Sequence, residues 1–69
     1  MERTTHKIMD INENGKHFVC IYNAADKMTP YRLYQVYWAS GKYGMTQRRK
    51  QLARYSDMKS VLYHVYSAF

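Results

Sequence analysis

The sequence predicts one α+β domain spanning residues 1–69: a small four-stranded antiparallel sheet followed by a C-terminal amphipathic helix, ββββα. Three observations carry that prediction. An Asn14-Gly15 pair stands between two alternating apolar segments. Residues 31–39 are rich in the aromatic and β-branched types that suit strands. Met58, Val61, Leu62, Val65 and Phe69 repeat at the spacing of one helix face. The competing architecture keeps the first hairpin and turns the remainder into three short helices, at 29–40, 46–55 and 57–69.

The first two strands are placed at 5–12 and 17–23. Asn and Gly both tolerate the positive φ that a two-residue type I′ turn demands. Such a turn sets Glu13 opposite Lys16, and then pairs Ile11 with Phe18, Asp10 with Val19, Met9 with Cys20, Ile8 with Ile21 and Lys7 with Tyr22. Opposed residues share a face. Ile11, Phe18, Met9, Cys20 and Tyr22 therefore read as core, while Asp10, Val19, Ile8, Ile21, His6 and His17 form a mixed second face.

Residues 24–30 connect to the third strand, 31–39. Thr29 as N-cap, Pro30 in the first turn and Gly41 as a stop argue for a helix there instead. Five of those nine residues are aromatic or β-branched, which favours a strand. Gly41 and Gly44 bracket the following turn. Residues 45–55 have helical propensity, but their helical apolar stripe is thin: Met45, Leu52 and Tyr55, interrupted by Arg49. Hairpin logic makes them a fourth strand with charge along its edge, a common guard against edge-to-edge aggregation. Ser56 or Asp57 caps the helix. Lys59, Ser60, His64 and Ser67 are expected on or near its outer side, with Tyr63 and Tyr66 flanking the stripe.

A chain of 69 residues buries a small core. Cys20 is the only cysteine, so no intramolecular disulfide staples it. A lone thiol in a short basic chain fits a reducing compartment. No apolar run approaches a membrane span, and Met-Glu-Arg-Thr-Thr-His is not the start of a signal peptide. The expected location is the cytoplasm, or a host cytoplasm if the gene belongs to a phage or mobile element.

The charge is concentrated. Residues 27–56 contain no acid and hold Lys27, Arg32, Lys42, Arg48, Arg49, Lys50 and Arg54, which accounts for the net charge of +6, the flanks being close to neutral. The same window holds Tyr31, Tyr34, Tyr37, Tyr43, Tyr55 and Trp38. Cations with interleaved aromatics are the composition that binds phosphate and stacks bases. The expected phosphate contacts are Arg32, Lys42, Arg48, Arg49, Lys50 and Arg54; the expected stacking or partner-binding faces are Tyr31, Tyr37 and Tyr43. One helix covers one side of a sheet, so the other is expected to be an open, partly apolar, Tyr-rich surface.

Other chemistries lack support in the sequence. His17 and Cys20 fall on opposite faces of a strand, and His6, His17, His64 and Cys20 offer no second ligand pair, so no metal or cofactor is expected. Glu2, Asp10, Glu13, Asp26 and Asp57 show no acid–base pairing, and there is no phosphate-cradling glycine loop or nucleophile motif. The expectation is a small basic non-enzymatic binding module contacting nucleic acid through residues 27–56. The alternatives are a protein-binding adaptor or inhibitor that docks on an acidic surface, and a homodimer packed through the open sheet face.

Overall fold

A computed structural model describes residues 4–69. Strands β1 (Thr5–Glu13), β2 (Lys16–Asn23), β3 (Tyr31–Gly41) and β4 (Gly44–Tyr55) form one antiparallel sheet in the order β1-β2-β3-β4, followed by helix α1 (Met58–Ser67). This is the ββββα architecture; the three-helix alternative for the second half is excluded.

The first turn has the predicted geometry: Asn14 and Gly15 take φ of 52° and 76°. The register it sets holds from Glu13↔Lys16 to Met9↔Cys20. A β-bulge between Lys7 and Met9 then shifts the pairing, so Lys7 rather than Ile8 faces Ile21, and His6 rather than Lys7 faces Tyr22. A bulge inserts one unpaired residue and inverts the faces of everything beyond it. Here it moves His6 to the helix side, where its ring lies 5.4 Å from that of Tyr22. It also moves Lys7 to the open side, where its ammonium meets Asp10 at 3.0 Å.

The second hairpin is longer than expected. Pairing runs from Tyr31↔Tyr55 to Gly41↔Gly44, with Lys42 and Tyr43 at the tip and Gly44 at φ 115°. A bulge between Leu33 and Tyr34 leaves both Leu52 and Ala53 near Leu33. Leu52 packs against the core in consequence.

The core lies between the sheet and α1. Phe18, Cys20, Leu33, Val61 and Val65 are buried, with Met9, Ile11, Tyr31, Leu52, Tyr55, Met58 and Ala68 packed around them. Asp57 caps the helix by accepting the Ser60 backbone N–H at 2.9 Å. At the other end the Lys16 ammonium donates to the Ala68 carbonyl, a favourable place for a cation. His64 is not on the outer side: its Nδ1 lies 2.6 Å from the Tyr55 hydroxyl on β4. Leu62, expected in the buried stripe, is on the solvent side, while Ala68 fills the position nearer the sheet.

An aromatic row crosses the helix side of the sheet, from His6 through Tyr22 and Tyr31 to Tyr55. Tyr22 and Tyr31 meet at 5.3 Å and 64°, in the edge-to-face range that aromatic pairs prefer. The molecule is a plate of 38 × 34 × 15 Å. The last β2–β3 pair is His17↔Val36, so residues 37–48 continue as a two-stranded arm beyond the three-stranded region.

Candidate nucleic-acid interface

Strand alternation and the bulge in β4 together decide where each cation points. Arg32 and Arg54 are cross-strand partners, in the row that includes Ile21 on the open side. Both reach back to the carboxylate of Asp26, at 3.7 and 3.9 Å. Asp26 is fixed in the β2–β3 connection by the Thr29 backbone N–H at 3.1 Å and its hydroxyl at 3.0 Å. Those bonds, led by the backbone N–H, hold its carboxyl below the usual carboxylate value. Two of the expected phosphate contacts are therefore engaged by an acid within the fold.

The other four lie on the second hairpin. Arg49 is paired with Val36 on the open side, its guanidinium 4.9 Å from the centre of the Tyr34 ring, a cation–π contact. Arg48, opposite Tyr37, and Lys50, opposite Gln35, project to the helix side. Lys42 is at the tip, with its ammonium 5.7 Å from the Tyr43 ring. Among the described residues none of these four has a carboxylate within ion-pair distance. Arg48, Arg49 and Lys50 straddle β4, the edge strand, whose outer backbone groups are unpaired in the sheet.

The expected aromatic faces divide as well. Tyr43 is 92% exposed at the tip and Tyr37 is 45% exposed on the arm. Tyr31 packs against the core between Tyr22 and Tyr55, so it offers no free stacking face. The open side is less Tyr-rich than expected: alternation gives it Tyr34 alone, with Val19, Ile21, Val36 and Trp38. Trp38, 63% exposed, is the large aromatic of that face. Alternation along 31–39 already put Tyr34, Val36 and Trp38 together, and that was the available signal for it.

Lys7, His17 and Gln47 are not among the nucleic-acid contacts expected from sequence. A shallow depression of about 320 Å³ on the open face brings them together with Val19, Val36 and Arg49. Asp10 is also in its lining, bonded to Lys7 and, at 2.5 Å, to Nε2 of His17. Those hydrogen bonds, Lys7 first, hold the Asp10 carboxyl below its ordinary value. The result is a concavity with apolar side chains, hydrogen-bonding groups and a cationic rim.

His17 and Cys20 do stand on opposite faces, and burial pushes the Cys20 thiol pKa up. Among the described residues no three His, Cys, Asp or Glu side chains gather as a metal site, and no helix is long and apolar enough to cross a membrane.

The fold and surface define a small α+β protein with a basic β-arm. No protein-family model matches the chain, and neither the curated proteins nor the solved structures yield a match.

Proposed function

We propose that the protein is a small non-enzymatic module, acting in the cytoplasm, that binds nucleic acid through the β3–β4 hairpin. One observation carries the reading: Lys42, Arg48, Arg49 and Lys50, without an acidic partner among the described residues, lie on one hairpin that also exposes Tyr37, Trp38 and Tyr43. Fixed phosphates beside such an arm exchange their condensed counterions for Lys and Arg. The outer N–H groups of an edge strand add donors for phosphate oxygens. Anisotropy of a labelled oligonucleotide at low and moderate salt tests the reading. Binding that weakens steeply with salt supports it, and no binding at low salt refutes it.

A protein-partner reading has its own support on the far side of the plate. Leu62, Tyr63 and Tyr66 expose an apolar strip along the outer face of α1, and Tyr and Arg are prominent in protein hot spots. The homodimer reading packs the open sheet face, with its exposed Trp38, against a second copy. Recovery of one acidic protein that resists nuclease treatment favours the adaptor or inhibitor reading. A dimer mass in sedimentation favours self-association.

A further inference from the structure

We propose that the depression on the open face is a subsite for one unpaired nucleobase, which makes the ligand class single-stranded nucleic acid. This rests on the nucleic-acid reading and narrows it.

The floor is apolar. Val36 is half-buried and Val19 is 7% exposed although it lies on the side away from the helix. Such a floor suits the π-face of a base and gives nothing to a phosphate. A duplex keeps those faces stacked inside and presents only edges and backbone. On one side stands Arg49, its guanidinium already lying over Tyr34, a planar cation against which bases stack. Gln47, in register with Trp38, supplies an amide with both donors and an acceptor for the edge of a base.

Charge complementarity points the same way. At the β1 end, Lys7 and His17 bond to Asp10. That carboxylate is therefore compensated, and as part of the lining it is an acceptor for a base N–H such as thymine N3–H. At the β4 end, Arg49 carries charge with no such compensation among the described residues. A nucleotide seated with its base over Val19 and Val36 directs its phosphate toward β4. The depression touches all four strands, a span of about 14 Å at the usual strand spacing, which suits one nucleotide lying across the sheet.

The test uses the whole chain and two measurements. In the first, a labelled oligothymidine and a mixed-sequence duplex of equal length are titrated by anisotropy at the same salt. One stacked base predicts about 5- to 150-fold tighter binding of the single strand. Val36→Leu, which encroaches on the floor without altering charge or adding an aromatic ring, lowers that preference and leaves duplex binding in place. In the second, thymidine monophosphate is titrated into methyl-labelled native protein, which needs no variant. The methyls of Val19 and Val36 shift, those of Val61 and Val65 in the core do not, and inorganic phosphate leaves all four unmoved. Equal affinity for single strand and duplex, with silent Val19 and Val36 methyls, overturns the base subsite while nucleic-acid binding by the arm stands. No binding of either oligonucleotide at low salt overturns both.

Discussion

Six cations occupy the basic hairpin region, but only four are expected to meet phosphate. On single strands the logarithm of the binding constant falls by about 0.7 per neutralised phosphate for each tenfold rise in salt. Lys42, Arg48, Arg49 and Lys50 thus give a slope of about −2.8, so a fourfold rise in salt weakens binding about 50-fold. Removing Arg49 as Arg49→Ala brings the slope to about −2.1 and the same salt step to about 18-fold. Arg54→Ala lowers the slope less than Arg49→Ala does, because Arg54 at 3.9 Å shares with Arg32 the one Asp26 carboxylate, which offsets one of their two charges. Arg32→Ala behaves likewise, since Arg32 shares that carboxylate at 3.7 Å. The assay is anisotropy of one labelled oligonucleotide across a salt series for the native chain and each variant, with circular dichroism as the check on folding. Two results would refute the reasoning. A loss of slope for Arg54→Ala equal to that for Arg49→Ala would show that Asp26 does not sequester its partners. A native slope shallower than about −1 would show that phosphate neutralisation is not what holds the ligand.

Three further predictions concern the fold. Leu33 is fully buried at the centre of the core, so Leu33→Ala is expected to cost about 2.7–5 kcal/mol. A chain of 69 residues holds about 3–10 kcal/mol in total, so chemical denaturation should show a large fall in midpoint; an unchanged midpoint would remove Leu33 from the core. Gly15 sits at φ 76° with open space where a Cβ would go, so Gly15→Ala should cost about 1–2 kcal/mol by backbone strain alone, read by thermal melting against a neutral Ser56→Ala control. The carboxyls of Asp10, Asp26 and Asp57 are all lowered, chiefly by hydrogen bonds from Lys7, Thr29 and Ser60 respectively. Their stabilisation is therefore complete above the unfolded carboxylate value of about 3.9 and is lost as pH falls through the lower folded values. The denaturation midpoint should drop on acidification from about pH 5 to about pH 2, and less so in Asp26→Asn; an equal drop in that variant would show that the Thr29 bonds contribute nothing.

Local chemistry made much of the fold legible. Asn14-Gly15 fixed a turn type, and the turn fixed a register that held as far as Met9↔Cys20. The apolar repeat from Met58 located α1, and Asp57 its cap. What alternation could not locate were the two bulges. Each adds a residue without a composition signal, and each inverts the faces beyond it. His6 and Lys7 were consequently assigned to the wrong faces. In β4 the bulge places Leu52 in the core and phases the basic run so that Arg49, and not Arg48 or Lys50, shares the open face with Tyr34 and Val36. Residues 45–55 carry helical propensity and form a strand because pairing with β3 outweighs it. At the site, charge was visible but its compensation was not. Asp26 lies outside the acid-free window in sequence, yet its connection folds back onto Arg32 and Arg54. Tyr31 looked like an exposed face because its aromatic neighbours in the row come from β2 and β4.

The arm of residues 37–48 separates two kinds of information. Among the described residues the six buried side chains all lie outside it, in β2, the start of β3 and α1. Exchanges at exposed positions away from packing and capping features usually change stability by no more than about 0.5 kcal/mol. Descendants of this sequence can therefore rewrite the arm, replacing Tyr37, Trp38, Tyr43 or the nearby cations, with little loss of fold. A new partner becomes reachable by single steps, each of them foldable. Over time such a lineage would keep its hairpin turn, its bulges and a handful of core residues while the surface of the arm drifts.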